Sequence, residues 1–239
     1  MIRLLDEWAA LPVRRRDVIR LAGGAGLGLF AFGSSAGRSA GRALLGAGVA
    51  DAADTALATC TLAPEQTEGP YYVDDVLRRR NVTEGRPGTP LWVTLRVVDA
   101  STCAAIPGAT VEIWHADANG DYSGYNGFAG AIFMRGQQVA GSAGAATFRT
   151  VYPGWYQGRT VHIHVKVHVG GSTVHTGQLY FDDTLSDAVY TQEPYASRGT
   201  RSTRNAADGI YGNGGAASTL AVVARGKGYW GSITLGVAS

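Results

Sequence analysis

The sequence has few cysteines, few charged residues and no hydrophobic run long enough to cross a membrane comfortably. Its most apolar stretch, LAGGAGLGLFAFG at residues 21–33, is too short and too rich in glycine for a transmembrane helix. This stretch follows VRRRDVIR at residues 13–20 and precedes the alanine-rich AGVADAADTA at residues 47–56. The order of arginines, apolar run and small residues predicts an export signal, and the consecutive arginines favour the twin-arginine type.

We therefore expect residues 1–52 to form an export signal with its linker, and residues 53–239 to form the folded domain. A general secretory signal or an uncleaved amphipathic anchor is the alternative for the first part. The protein is expected outside the cytoplasm, either secreted or attached to the cell envelope. No stable membrane span is expected once the signal has been removed.

Positive charge is not in excess in the predicted domain. The whole chain has a formal net charge of +2, but residues 1–52 contain seven of its 21 basic residues and four of its 19 acidic residues. The remainder has a net charge of −1, which leaves no electrostatic footprint for a nucleic-acid partner. About 187 residues are enough to bury the core of one domain.

Only two cysteines are present, Cys60 and Cys103, so the chain can form at most one intramolecular disulfide. A bridge between them would tie the start of the predicted domain to a turn between two predicted strands. The alternative is a pair of free thiols, which fits an exported protein less well because disulfides persist in oxidising compartments.

Strand patterns dominate the predicted domain, whereas helix signals are weak. Apolar and polar residues alternate over several short segments rich in β-branched residues, and turn residues separate these segments. Residues 184–217 are polar and contain several glycines and tyrosines, which predicts long loops. The sequence therefore predicts a single all-β domain, a β-sandwich of short strands. The segments are PLWVTLRVVDA (90–100), ATVEIWHAD (109–117), AATFRTVYPG (145–154), TVHIHVKVHVGG (160–171), STVHTGQLYFDD (172–183) and LAVVARGKGYWGSITLGV (220–237).

Two histidines one residue apart give the first chemical signal. His162 and His164 in RTVHIHVKV share one face of a strand, because side chains at i and i+2 point the same way. A neutral imidazole binds zinc, copper, iron or nickel, so the pair alone does not select a metal. Two histidines on an ordinary polar sheet face are the competing interpretation. Tyr156 and Arg159 lie just before the pair, next to a Pro-Gly turn.

The loop WHADANGDYSGYNG, residues 114–127, has two interpretations. Asp117, Asn119, Asp121 and Ser123 alternate as in a calcium-binding loop. However, the sharp turn at the sixth position would fall on a tyrosine, and the twelfth position, Phe128, is not a carboxylate. The other interpretation is a glycine-containing loop that presents a tyrosine at the end of a strand.

Four segments together resemble the intradiol ring-cleaving dioxygenases, which include catechol 1,2-dioxygenases and protocatechuate 3,4-dioxygenases. The resemblance covers most of residues 60–183, and the segments occur in the family's order. They are EQTEGPYYV (65–73), PGATVEIWHADANGDYSGY (107–125), FRTVYPGWYQGRTVHIHV (148–165) and GQLYFDD (177–183).

The resemblance implies one ferric ion per chain, held by two tyrosines and two histidines. Tyr122, eight residues after a tryptophan, matches the first tyrosine ligand, and Tyr156 matches the second. His162 and His164 match the histidine ligands. Two phenolate oxygens are hard anionic donors, which favours Fe(III) over zinc or Cu(I).

The resemblance also implies roles for residues around the metal. Tyr156 corresponds to the axial tyrosine, which leaves the iron when catechol binds and then accepts a substrate proton. Arg159 corresponds to a cation that stabilises developing negative charge beside the substrate. Gln178 corresponds to a glutamine that supports the arginine and the ligands. Pro70 corresponds to a segment at the border of the substrate pocket.

The expected activity is cleavage of a catechol-type ring between its hydroxyl-bearing carbons, with both atoms of O₂ entering a muconate-type diacid. The expected partners are a small catechol and O₂, and the oligomeric state is left open. The alternatives are a transthyretin-like or adhesin-like binding module, or a copper or zinc enzyme that uses only His162 and His164. The other three histidines, His115, His168 and His175, are expected to be structural or exposed.

Overall fold

The computed structural model describes residues 60–74 and 77–239, so the expected export signal lies outside the described residues. The strands are β1 Pro90–Asp99, β2 Thr110–Trp114, β3 Arg135–Val139, β4 Ala145–Val151, β5 His162–Val169, β6 Ser172–Tyr180, β7 Ala221–Arg225 and β8 Gly228–Val237. They form two four-stranded sheets, with strand orders β4-β1-β8-β7 and β3-β2-β5-β6. This architecture confirms the predicted all-β fold.

The core lies between the two sheets because every second residue of the central strands is apolar. Leu91, Val93 and Leu95 of β1 are fully buried in one cluster with Ile163 and Val165 of β5. Their neighbours in β5, by contrast, are histidine and lysine, which therefore lie on the outer face of the second sheet.

Two features differ from the sequence-based expectation. The strand β3 was not predicted, because RGQQV has neither β-branched alternation nor an apolar face. Residues 184–217 were predicted as long loops, but the first six of them, 184–189, belong to a short helix, α1, Asp183–Val189. Asp182 caps this helix by accepting hydrogen bonds from two backbone amides of its first turn. Three single 3₁₀ turns follow, at Ala196–Arg198, Asn205–Ala207 and Gly215–Ser218.

The segment before β1 crosses the outer face of the second sheet, and we call residues 61–74 and 77–82 the strap. Near its start, the amide of Gln66 donates to the carbonyl of Thr176 on the edge strand β6. Near its end, the amide of Arg79 donates to the carbonyl of Gln137 on the opposite edge strand, β3. The strap therefore covers the face that carries the paired histidines. Within the described ranges, no helix is long and apolar enough to span a membrane.

A disulfide joins Cys60 to Cys103, with 5.2 Å between the two Cα atoms. Cys103 lies in the turn between β1 and β2, so the bridge anchors the start of the strap to the first sheet. The sequence separation of 43 residues means that the bridge closes a long loop in the unfolded chain. A long closed loop favours the folded state by reducing the entropy of the unfolded chain.

Replacing both cysteines by serine is expected to lower the free energy of unfolding by about 2–4 kcal/mol. Urea denaturation of the oxidised wild type and of the Cys60→Ser, Cys103→Ser variant measures this difference. Wild type treated with a reductant is the matched control, and its midpoint should equal that of the variant. Equal stability of oxidised and reduced wild type would contradict the anchoring role.

Candidate active site and metal centre

His162 and His164 begin β5 and point away from the core. The strap covers them, so that only 3% of His162 and 1% of His164 is exposed. Their Nε2 atoms lie 3.1 Å apart. The i, i+2 spacing thus has the predicted result, with both imidazoles on one face and their ring nitrogens directed at one another.

Two tyrosines reach the same point from different loops. Tyr122 lies on the loop between β2 and β3, and its hydroxyl oxygen is 3.5 Å from Nε2 of His162. Tyr156 lies on the turn after β4, and its hydroxyl oxygen is 3.1 Å from the same nitrogen. The structure therefore brings together the four side chains that the sequence analysis selected as ligands.

The two tyrosine-bearing loops are docked against each other at Gly154. Its amide donates to the carbonyl of Asp117, and an added Cβ would lie 2.4 Å from the carbonyl oxygens of Asp117 and Ala118. The Asp117 side chain accepts hydrogen bonds from the amides of Asn119 and Asp121 and pairs with Arg86. This carboxylate therefore organises the loop, which favours a tyrosine-presenting loop over the calcium-binding interpretation.

A backbone contact sets the tautomer of His162. Its Nδ1 lies 2.6 Å from the carbonyl oxygen of Thr160, which can only accept a hydrogen bond. The proton is therefore on Nδ1, and Nε2 presents its lone pair toward Tyr122 and Tyr156. Burial, followed by the charge of Arg159, lowers the pKa of His162 to about 3. The ring is accordingly neutral at physiological pH, as a metal ligand must be.

His164 is held by packing. The indole of Trp114 stacks on its ring at a centroid distance of 4.8 Å. The strap approaches the same ring at Gly69, where an added Cβ would lie 3.2 Å from Cε1 of His164 and where φ is +73°. A side chain at this position would be strained and would press on the imidazole. Burial also lowers the pKa of His164 well below its usual value.

The phenol of Tyr122 is buried and that of Tyr156 is half-buried, and both face the neutral imidazole of His162. Burial raises the pKa of Tyr122 well above its usual value, and it raises that of Tyr156 as well. Arg159 acts in the opposite direction on both groups. Two phenols facing two neutral imidazoles form a site that a cation would complete, since a cation stabilises the phenolate form.

The donor set fits a single metal ion. Atoms bound to one first-row metal at about 2.0–2.1 Å stand roughly 3 Å apart, which is close to the separations at His162. Among the described residues, no group of three or more His, Cys, Asp or Glu side chains could hold a metal. A metal centre here therefore needs the tyrosine oxygens, and that requirement favours a hard ion such as Fe(III) over zinc or Cu(I).

Arg159 lies beside this cluster and is clamped by two partners. Its Nε donates to Oδ2 of Asp208 at 2.9 Å, and its Nη2 donates to Oε1 of Gln178. Gln178 is also held by the strap, because its Nε2 donates to the carbonyl of Thr67 at 2.9 Å. The predicted residues Arg159 and Gln178 are therefore neighbours, and Gln178 links the arginine to the strap.

The strap places an aromatic ring over the cluster. Tyr71 stacks on Tyr122 at a centroid distance of 4.4 Å and packs edge-on against Tyr156 at 6.2 Å. Pro70 is exposed and lies between this ring and Gly69. Its position agrees with a place at the border of a pocket, although Tyr71 is the residue that contacts the cluster.

The remaining histidines have partners elsewhere. His115 is buried between the carbonyl of Ala116 and the hydroxyl of Thr150, each 2.7 Å from a ring nitrogen. His175 pairs with Glu65 of the strap at 2.7 Å. His168 lies four residues beyond His164 and is partly exposed.

Asp208 and Tyr71 escaped the sequence analysis. Asp208 lies 49 residues after Arg159 in the sequence, and no local pattern indicates that the two side chains meet. Tyr71 lies within the motif EQTEGPYYV at residues 65–73, so the resemblance indicated this segment of the chain but did not single out this ring.

A family model described as Dioxygenase matches residues 65–202. The chain therefore belongs to the intradiol ring-cleavage dioxygenase family, as the four segments predicted. An intradiol ring-cleavage dioxygenase from Tetranychus urticae is 36% identical, with a TM-score of 0.71 over 75% of this chain and 95% of that structure. The dioxygenase domain of a dioxygenase carbohydrate-binding protein fusion from Streptomyces sp. SirexAA-E is 32% identical, with a TM-score of 0.58 over 74% of this chain and 99% of that one.

Similarity to the curated enzymes is more distant. A chlorocatechol 1,2-dioxygenase from Cupriavidus pinatubonensis is 29% identical over 146 residues, which are 50% of this chain and 56% of that protein. A catechol 1,2-dioxygenase from Pseudomonas sp. strain EST1001 is 27% identical over 169 residues, which are 61% of this chain and 54% of that protein. The chain thus spans about half the length of these relatives.

Gly154→Ala is expected to lower the free energy of unfolding by about 1–3 kcal/mol, because its Cβ would overlap two backbone carbonyls and force the tyrosine loops apart. Gly141→Ala is the matched control, since a Cβ there meets only the carbonyl oxygen of Ala145 at 3.9 Å. Urea midpoints and near-ultraviolet circular dichroism would reveal the change. Equal urea midpoints and equal spectra for the two variants would contradict the docking of the two tyrosine loops at Gly154.

Proposed function

We propose that this chain is an exported Fe(III) dioxygenase that cleaves catechol-type rings between their hydroxyl-bearing carbons with O₂. The product would be a muconate-type diacid that contains both oxygen atoms. The observation that carries this proposal is the convergence of two phenol oxygens and two imidazole nitrogens beside a clamped arginine. The names of the relatives, chlorocatechol and catechol 1,2-dioxygenase, support the substrate class.

Tyr122, Tyr156, His162 and His164 would hold one iron ion. Iron(III), when bound, supplies a centre that binds a catecholate and makes it electron-rich toward O₂. The chain contributes two neutral histidines, of which His162 has its Nε2 lone pair set by the Thr160 carbonyl, and two phenols that ionise only beside a cation. The strap covers the site, and the low exposure of Tyr122, His162 and His164 strengthens the electrostatic interactions among them.

Tyr156 is the better placed of the two tyrosines to handle a substrate proton. It is partly exposed, whereas only 4% of Tyr122 is exposed beneath the ring of Tyr71. The phenolate oxygen of Tyr156 would accept the proton of a catechol hydroxyl, acting as a general base. Arg159 favours this form of Tyr156 because its positive charge lowers the phenol pKa.

Arg159 would also stabilise negative charge that develops on the substrate ring. Its guanidinium is already oriented by Asp208 and Gln178, so little reorganisation accompanies the reaction. Gln178 would keep the guanidinium in register with the strap that covers the site.

The alternatives explain less of the site. A binding module has no use for the four converging ligand-type atoms. A copper or zinc enzyme that used only His162 and His164 would leave two phenols beside its metal without a role.

His164→Ala is expected to abolish iron binding and catechol cleavage, because it removes one of four ligands. His168→Ala is the matched control: it lies on the same strand and is partly exposed, so both properties should be retained. Iron per chain, O₂ uptake and the mass of the product measure the outcome. Full activity in His164→Ala, or equal loss in both variants, would sink the proposal.

Export is proposed from the arginine-rich N-terminal sequence and from the disulfide, which suits an oxidising compartment. Full-length protein expressed in a bacterium should appear outside the cytoplasm. Replacing Arg14, Arg15 and Arg16 together by lysine should retain it in the cytoplasm with reduced cysteines. An unchanged distribution between cell fractions would rule out the twin-arginine route.

A further inference from the structure

Asp208 makes more contacts than a turn residue requires. It comes from the loop after α1, and only 1% of its side chain is exposed. Its Oδ1 accepts the amides of Ile210 and Tyr211 at 2.8 and 3.1 Å, which stabilises its own turn. Its Oδ2 instead accepts Nε of Arg159 at 2.9 Å and the amide of Thr160 at 2.7 Å. One carboxylate thus joins a distant loop to the strand that enters the metal cluster.

The contact with Thr160 leads directly to a ligand. The amide of Thr160 is bound by Asp208, and its carbonyl accepts the Nδ1 proton of His162. The Thr160 side chain is held from the same loop, because its hydroxyl donates to Oδ1 of Asn205 at 2.6 Å. Asn205 in turn donates to the carbonyl of Phe181 at 2.9 Å. Thr160, whose carbonyl sets the tautomer of His162, is therefore held through its amide, its hydroxyl and its carbonyl.

The contact with Arg159 places a negative charge beside the guanidinium. The negative charge of Asp208 stands against a guanidinium whose field reaches Tyr122, Tyr156, His162 and His164. The pKa of Asp208 is itself lowered by the amide of Thr160 and by Arg159, against the effect of burial. The carboxylate is therefore ionised wherever the site would operate.

We propose that Asp208 is a positioning residue of this centre, which through one oxygen atom fixes both the guanidinium of Arg159 and the metal-binding tautomer of His162. The proposal rests on the proposed function for its catalytic consequence, but not for its structural one. The simpler account is that Asp208 only caps its turn. The two accounts differ in what happens at Thr160 and His162.

Asp208→Ala is the main variant, and Asp208→Asn is a second variant of nearly equal size in case the first does not fold. Asparagine at this position would also fail to hold Thr160 and Arg159. Both oxygens of Asp208 accept hydrogen bonds from N–H groups, and asparagine replaces one of these oxygens by an NH₂ group, which is itself a donor. Asp99→Ala is the matched control. Asp99 caps its turn in the same way, accepting the amides of Ser101 and Thr102 at 3.0 and 2.7 Å, and it makes no contact with the cluster.

The first measurement uses the full chain without metal. Long-range ¹H–¹⁵N spectra report the tautomer of His162, and hydrogen exchange reports protection of the Thr160 amide. Wild type and Asp99→Ala should show an Nδ1 proton and a protected amide, whereas both Asp208 variants should lose them. Arg159→Met should keep the tautomer, because it removes only the second contact of Asp208.

The second measurement uses the iron-loaded protein with catechol. The Asp208 variants should lose about 10–100-fold in kcat/KM, as expected for residues that orient metal ligands, and Asp99→Ala should lose none. Unchanged tautomer and amide protection in the Asp208 variants would overturn the proposal, as would an Nε2 proton in wild type. If wild type cleaves no catechol, the proposed function fails, while the metal-free spectra still decide the role of Asp208.

Discussion

The burial of a polar sheet face beneath the strap is the constraint on which the rest of the site depends. His162 and His164 point away from the hydrophobic core, into a space that would be wet without the strap. Covering that space makes imidazoles neutral and keeps phenols protonated, because low dielectric disfavours their charged forms. A cation is the partner that satisfies all four groups together. Two features hold the strap over this face: the disulfide at its start and the backbone hydrogen bonds that the strap makes with both edges of the sheet.

Four segments have to meet at strand β5 for the site to exist, and each junction has an identifiable cause. The loop of Tyr122 and the turn of Tyr156 meet at Gly154, where no side chain would fit. The loop after α1 joins them through Asp208, and the strap joins through Gln178 and Tyr71. The sandwich supplies a rigid base for these segments, as is common for sites built on loops.

Local patterns in the sequence predicted much of this arrangement but not its long-range contacts. Strand alternation predicted the all-β fold, and the i, i+2 rule placed both histidines on one face. The resemblance to a family selected the two tyrosines, which spacing alone would have left ambiguous beside a calcium loop. Asp208 and the strand β3 were missed for a physical reason. Their positions follow from docking between distant segments, and neither RGQQV nor NAADGIYG has a periodicity that reports it.

The ferric site is tested most directly by a visible absorption spectrum of the purified protein, with metal analysis on the same sample. Phenolate bound to Fe(III) absorbs visible light by charge transfer. We expect a coloured protein with about one iron atom per chain, and a band that shifts when catechol is added under nitrogen. A protein that stays colourless after reconstitution with iron would contradict the proposed ferric site, since two phenolate ligands could then not be present.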